Sequence, residues 1–255
     1  PDVKWHERAR KLFASALETP GGLKVQTIHA LCTRLLQQFP FEARVPARFT
    51  VLDERDQTEM MERASLKVML AASQNPDSAG GRALQYAMGA AADTTLRDVL
   101  NQACLSRDHV MAWTEDRGIE QAIRDVAAVL GVDPAGRVED VEREIIDGPN
   151  LPRSEWQTLA AVLEAGNKSD MEQTKRLREA HAMIGEAVQT DRYLDVFLTG
   201  DGSPRKSFVT KKISDVRPDI ADMLADECLR VTALLERRRA LTIRDRTQSL
   251  LVIAT

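Results

Sequence analysis

The chain has 255 residues, of which 43% are hydrophobic, 29% charged and only 4% aromatic, with a net charge of -4. This is the composition of a globular chain, and the scarcity of aromatic residues beside abundant Ala, Leu, Glu and Arg favours helices over a β-sandwich. No apolar run is long enough to cross a bilayer and no leader pattern opens the chain, so we expect a cytoplasmic protein with no membrane partner. Three widely spaced cysteines favour neither a disulfide framework nor a zinc site.

The charge is unevenly distributed along the chain. Residues 1–44 contain seven Lys and Arg against four Asp and Glu, and residues 201–255 contain eleven against eight, so each end carries +3. Residues 45–200 then carry -10. Two basic ends that flank an acidic body favour one localised phosphate-facing surface over a chain that binds nucleic acid everywhere.

The first elements are an amphipathic helix over residues 5–18, a turn at Pro20-Gly21-Gly22, and a change of period at Thr27-Ile28-His29. Residues 23–28 alternate apolar and polar side chains as a short strand does, whereas Leu31, Leu35, Leu36 and Phe39 recur at helical spacing. A strand that turns directly into a helix presents free N–H groups and the positive end of the helix dipole, where phosphate binds. The simplest interpretation is an ordinary junction with Thr27 as the helix cap.

A resemblance adds a functional reading of this junction. The run from Gly21 to Cys32, Gly-Gly-Leu-Lys-Val-Gln-Thr-Ile-His-Ala-Leu-Cys, resembles the single-stranded-DNA contact motif T-[IF]-H-[AS]-[FL]-C of UvrD/Rep/RecB-type superfamily 1 helicases. It is most similar to the AddA-type subunits of AddAB helicase–nucleases. Because the threonine and the histidine of that motif contact the DNA backbone, the resemblance implies the same role for Thr27 and His29.

Pro40 and Pro46 mark a linker and place a boundary near residue 45. The apolar run that follows ends in Asp53-Glu54, as a magnesium-holding ATPase strand would. However, the sequence contains no G-x-x-x-x-G-K-[ST] loop to bind the phosphates of ATP. We therefore predict that Asp53 caps the next helix.

The middle of the chain reads as successive helices separated by Gly and Pro. The pattern predicts them at 56–72, 80–89, 94–105, 110–117, 119–131, 154–165 and 169–189. His6, His109 and His181 have no other metal-ligating residue types at a useful spacing, so we interpret them as surface or core side chains. No catalytic residue and no resident cofactor or metal is predicted in this chain.

Residues 193–212 differ from the helices around them. Apolar and polar residues alternate on both sides of Gly200-Asp201-Gly202, which predicts a β-hairpin. Arg205, Lys206, Lys211 and Lys212 crowd its second half, as either a solvated surface or a phosphate-binding patch. The Gly-x-Pro-Arg-Lys and Val-Thr-Lys-Lys sequences also resemble part of the AddA-type insertion subdomain, whose placement implies contact with duplex DNA.

Arg217-Pro218-Asp219 begins a last helix, predicted over 219–255, without a further Gly or Pro. Its predicted buried stripe is Ile220, Met223, Leu224, Val231, Leu234, Leu235 and Leu241, and its predicted basic flank is Arg237, Arg238, Arg239, Arg244 and Arg246. The first residue is not Met and the last residues are apolar, so we expect a fragment of a longer protein.

The sequence thus predicts a mainly α chain with one short strand near its start and one short β-hairpin. By the resemblance, residues 1–45 are the tail of the helicase core and residues 46–255 its helical 1B insertion. The resemblance implies a parent ATP-dependent DNA helicase and exonuclease in double-strand break repair by homologous recombination. ATP and Mg2+ would bind to the parent chain, outside this fragment, and the partners would be single-stranded DNA, double-stranded DNA and an AddB-like subunit.

Two other classes of function remain open at this level. One is a helical scaffold that binds acidic proteins through its basic ends and has no role with DNA. The other is a small complete enzyme, which is disfavoured because no nucleophile and base, carboxylate pair or metal cluster stands at a readable spacing.

Overall fold

The computed structural model describes residues 3–18, 26–115 and 117–255, except for the side chains of Val3 and Asp93. These residues are mainly α-helical and contain no β-sheet, which confirms the predicted fold class. In chain order the helices are α1 (Val3–Glu18), α2 (Ile28–Gln38), α3 (Glu54–Gln74), α4 (Ala79–Ala90), α5 (Asp93–Leu105), α6 (Arg107–Thr114), α7 (Gly118–Leu130), α8 (Val138–Ile146), α9 (Trp156–Leu163), α10 (Lys168–Ala182), α11 (Glu186–Phe197), α12 (Lys211–Ser214) and α13 (Pro218–Ala254). A single 3-10 turn, Arg153–Glu155, precedes α9.

The chain divides into two compact units, Pro1–Arg63 and Ala64–Thr255. The division falls inside α3, beyond the proline-containing linker where the sequence suggested a boundary. In the first unit, Thr27 has extended backbone angles and caps α2, and Asp53 accepts a hydrogen bond from the Asp56 amide at 2.8 Å. The predicted capping role of Asp53 is therefore confirmed.

The second unit is organised along α13, whose 37 residues span roughly 55 Å at the rise of an α-helix. Proline at its first position suits this start, because the missing N–H would have no partner within the helix. The first half of α13 packs with α8, α9, α10 and α11 around the main core. Near its C-terminus, Leu250 and Ile253 pack on α4 and α5, and Leu251 packs on α7. The predicted apolar stripe of α13 is buried, with Met223 only partly so.

A polar cluster within the main core joins α11, α13 and the end of α8. The carboxylate of Glu227, which has no exposed surface, accepts hydrogen bonds from the Tyr193 hydroxyl at 2.7 Å and from Arg230 Nε at 2.8 Å. Arg230 also donates to the carbonyl oxygens of Glu144 and Ile145 at the C-terminal end of α8, at 2.6 and 2.8 Å. Because every charged member has a partner, this cluster positions three helices without leaving a buried charge unpaired.

Three sequence predictions need correction. The helix predicted over 169–189 is two helices, because α10 ends at Ala182 and Gly185 adopts a φ of +101° before α11 begins. The predicted β-hairpin over 193–212 is the end of α11, a loop with one bridge, and the short helix α12. Ile28 begins α2 and does not end a strand; Leu23, Lys24 and Val25 of that predicted strand lie outside the described residues.

Candidate nucleic-acid interface

A tight turn follows α11 and brings the basic segment back beside that helix. Leu198 and Pro204 form an isolated antiparallel bridge, and the Thr199 amide donates to the Ser203 carbonyl oxygen at 2.8 Å. Gly202 has a φ of +80°, a left-handed conformation that favours glycine. The predicted Gly-Asp-Gly turn is therefore present, although it joins a helix to a loop and not two strands.

The carbonyl groups that end α11 hold this segment in place. Arg205 donates through its backbone amide to the Phe197 oxygen at 2.8 Å and through Nη2 to the Asp195 oxygen at 3.2 Å. Gln173 on α10 donates through Nε2 to the Val196 oxygen at 3.2 Å. The last carbonyls of a helix lack partners inside it and carry partial negative charge, so a cation is a favourable cap. Arg205 is thus fixed to the end of α11 as well as facing solvent.

Asp170 fixes the other end of the segment. Its buried carboxylate accepts hydrogen bonds from the Thr210 amide at 2.8 Å, from the Thr210 hydroxyl at 2.5 Å and from the Asn167 amide at 2.7 Å. Burial alone raises the pKa of Asp170, but these hydrogen bonds and the charge of Lys212 hold that pKa below its ordinary value. A side chain at position 166 would meet the Asp170 side chain at 2.3 to 2.5 Å, so glycine is required there.

Between these two anchors the loop borders a cavity of about 760 Å³. Its lining includes Gln173 and Arg176 of α10, residues of the loop itself, and the first residue of α12. Ala221 and Ala225 of α13 also line it. Its charged lining residues are Glu172, Arg176, Arg205, Lys206 and Lys211.

Positive charge predominates in this cavity. Four cationic side chains line it against one carboxylate, which leaves three net positive charges. Burial, followed by repulsion from Arg176, lowers the pKa of Arg205 from its ordinary value. Arg205 Nε is inaccessible to solvent and has no hydrogen-bond partner. Within the described residues, the one hydrogen bond of the Arg176 guanidinium runs from Nη1 to Gln173 Oε1, at 3.1 Å. Concentrated, under-partnered guanidinium groups are what binding of an anionic ligand requires.

The predicted site residues do not all meet here. Arg205, Lys206 and Lys211 line the cavity, whereas Lys212 directs its ammonium to the Gly166 carbonyl oxygen at 3.4 Å. Thr27 and His29 belong to the first unit. The Thr27 hydroxyl oxygen accepts a hydrogen bond from the Ala30 amide at 3.2 Å, which is the capping role expected of this residue type, and His29 is exposed at the start of α2.

Sequence reasoning missed Arg176 and Gln173. Both lie inside a polar helical stretch, where Glu172 and Arg176, four residues apart, read as an ordinary solvated pair. The structural signal is the contact of Gln173 with the end of α11, which only the tertiary arrangement provides.

The predicted basic flank of α13 is largely neutralised, which corrects that expectation. Arg237 pairs with Glu144 at 3.4 Å, and Arg239 pairs with Glu236 at 2.6 Å. Arg238 lies 2.6 Å from both Glu142 and Asp191. Arg244 is buried and donates to three carbonyl oxygens of the loop before α8.

Within the described residues, no helix has the length and hydrophobicity that crossing a membrane requires, and no group of three or more His, Cys, Asp or Glu side chains is arranged to hold a metal ion. The cavity with its four cationic lining residues is the site that the geometry favours. Comparison with known proteins gives no match to this chain among family models, curated proteins or solved structures.

Proposed function

We propose that this chain is a DNA-binding segment of an ATP-dependent DNA helicase–nuclease that acts in double-strand break repair by homologous recombination. In this proposal the segment binds DNA but neither hydrolyses ATP nor cuts DNA, since ATP and Mg2+ would be bound by other parts of the parent chain. The single observation that carries the DNA-binding role is the cavity beside α10, with its three net positive charges.

Two sequence motifs support the wider assignment. Thr27 and His29 stand in a run that resembles the single-strand contact motif of superfamily 1 helicases, and both lie where α2 begins. Arg205 and Lys206 belong to the second motif, and both line the cavity. In the proposed arrangement Thr27 and His29 contact single-stranded DNA, the cavity residues contact phosphates near the duplex, and an AddB-like subunit completes the parent complex.

The cavity supports contacts to phosphate more than contacts to bases. Four of its five charged groups are long, cationic side chains, which bind phosphate without regard to sequence. Such binding releases counterions, so its affinity depends steeply on salt. With three or four phosphate contacts, raising the salt from about 50 to about 200 mM would weaken binding roughly 20- to 150-fold.

The test is the binding of the full chain to a tailed duplex with hydroxyl groups at every 5′ end, measured by fluorescence anisotropy over a salt series. We expect Lys206→Gln combined with Lys211→Gln to weaken binding and to reduce the salt slope by roughly 1.4 to 1.8. Lys212→Gln is the matched control, since it removes a neighbouring cation that points to Gly166 and does not line the cavity.

Equal salt slopes for the wild type and the double variant would exclude the cavity from DNA binding. The scaffold alternative, in which the basic ends bind an acidic protein, predicts equal affinity for DNA and for polyglutamate of the same charge. The pairing of Arg237, Arg238 and Arg239 with carboxylates opposes that alternative, because it neutralises three of the five arginines in the predicted basic flank of α13.

A further inference from the structure

The cavity contains more positive charge than one internal phosphate of a DNA strand would neutralise. An internal phosphodiester carries one negative charge, whereas a terminal phosphate monoester carries about 1.5 to 2 at neutral pH. Four cations against Glu172 leave three positive charges in this space. Charge matching therefore favours the monoester at the end of a strand.

The free hydrogen-bond donors of the cavity also favour a phosphate monoester. Arg205 is held by one guanidinium nitrogen to Asp195, and its Nε has no partner. Arg176 is oriented by Gln173, whose own amide nitrogen is bound to the end of α11. Two oriented guanidinium groups thus line one cavity with donors left over, and a buried donor without a partner indicates a missing ion or water. A monoester offers three terminal oxygens to such donors, and a diester offers two.

The walls of the cavity also suit a chain end. Phe208 and Val209 are partly buried, pack against the main core and line the cavity together with Ala221 and Ala225. These residues give the cavity an apolar part of its lining in addition to its cationic groups. A volume of about 760 Å³ lies within the range of small-molecule sites, roughly 300 to 1,000 Å³. It can accommodate a terminal nucleotide with its phosphate.

We propose that this cavity binds the phosphate monoester at the end of a DNA strand, with Arg176 and Arg205 on its terminal oxygens and with Lys206 and Lys211 at the rim. The inference rests on the proposed function and adds selectivity for phosphorylated strand ends. Arg205 also caps α11, so its replacement would disturb the loop. Arg176 is therefore the better residue to replace, because the one side-chain hydrogen bond that it makes with the described residues is to Gln173.

The test compares the dinucleotides pTpT and TpT, which differ only in the terminal phosphate, by NMR chemical-shift titration of the full chain. One added negative charge about 4 Å from one cation contributes about 1 kcal/mol in water, so pTpT should bind at least about fivefold more tightly than TpT. Arg176→Gln should reduce the preference for pTpT about fivefold, because it removes one such cation. Lys175→Gln on the same helix is the control, because Lys175 lies 3.9 Å from Glu179 and does not line the cavity.

Equal binding of pTpT and TpT to the wild-type chain, or binding of neither, would overturn the inference. An undiminished preference for pTpT in Arg176→Gln would also overturn it. Inorganic phosphate that binds as tightly as pTpT would identify a site for free phosphate and not for a strand end. The proposed function is tested separately with the hydroxyl-ended duplex. Salt-dependent binding of that duplex would support DNA binding even if the chain does not prefer pTpT over TpT. Failure of that duplex to bind would reject DNA binding, whatever the affinity for pTpT.

Discussion

Replacement of Asp170 by Asn should both destabilise the chain and release the basic loop. Asp170 is fully buried and accepts three hydrogen bonds, two from Thr210 and one from the Asn167 amide. An asparagine of nearly the same shape has one acceptor oxygen, and its NH2 group must face one of these donors. A charge-assisted hydrogen bond contributes about 1.5 to 3 kcal/mol, and an unsatisfied buried donor costs about 1 to 3 kcal/mol. We therefore expect a loss of about 2 to 4 kcal/mol in the free energy of unfolding.

The assay is urea unfolding followed by the helical circular dichroism signal, with Thr210→Val as the matched variant. Thr210→Val removes one hydroxyl donor and leaves the backbone amide of residue 210 in place, so its cost should be about 1 to 2 kcal/mol. Because both substitutions act on one interaction, the double variant should cost less than the sum of the two single variants. A loss below about 1 kcal/mol for Asp170→Asn, or full additivity, would refute this account of the anchor.

The pH dependence of stability provides an independent check on Asp170. Its pKa is lower in the folded chain than its ordinary value, so the folded state favours the ionised carboxylate. This contribution to stability is fully present above the unfolded pKa, which is about 3.9, and is lost as the pH falls through the folded pKa. The stability difference between the wild type and Asp170→Asn should therefore be constant near neutral pH and should shrink below about pH 4. A difference that instead grew with acidity would contradict the sign of the shift.

Two further predictions concern Arg230 and Arg244 of α13, and both are checked by urea unfolding. Arg230→Met should lower the free energy of unfolding by about 3 to 5 kcal/mol, because it leaves the buried Glu227 carboxylate without its counter-charge. Tyr193→Phe should lower it by only about 1 to 2 kcal/mol, because Arg230 still neutralises Glu227. A larger loss for Tyr193→Phe than for Arg230→Met would contradict this assignment. Arg244→Met should lower the free energy of unfolding by about 2 to 4 kcal/mol, because the carbonyl oxygens of Asp133, Pro134 and Gly136 would lose their hydrogen-bond donor. Arg246→Met is the control, since Arg246 lies two residues further along the same helix. Equal losses for the two variants would contradict the stabilising role of Arg244.

Local patterns in the sequence were sufficient for much of the fold. Helical periodicity, Gly and Pro indicated most of the helices, and the Arg217-Pro218-Asp219 signal located the start of α13. The break between α10 and α11 was missed because residues 169–189 continue a helical composition up to Gly185, whose φ of +101° ends that pattern. The helix α8 was missed as well, although four of its nine residues are buried. Both errors lie where tertiary packing decides between continuing a helix and turning the chain.

The hairpin prediction failed for a related reason. Residues 193–197 contain one polar residue, Asp195, between two apolar pairs, and Tyr193, Val196 and Phe197 are buried on the inner face of α11 against the main core. A short segment with large apolar residues fits either period, and burial against several helices decided for the helix. The second half of the predicted hairpin remains a loop because Asp170 and the end of α11 provide hydrogen-bond partners that a second strand would otherwise have supplied.

The sequence alone also did not show which basic residues remain unpaired in the folded chain. Basic residues near the C-terminus formed two sets in the sequence, the segment from Arg205 to Lys212 and the arginines of α13, and nothing local ranked one above the other. In the folded chain Arg237 and Arg238 of α13 meet carboxylates of α8 and α11, which precede them by 47 to 96 residues. The loop residues Lys206 and Lys211 instead face a cavity that also contains Arg176 from α10. Net charge in the sequence therefore did not distinguish these two sets of cations, and pairing in the fold determined which of them are left for an anionic ligand.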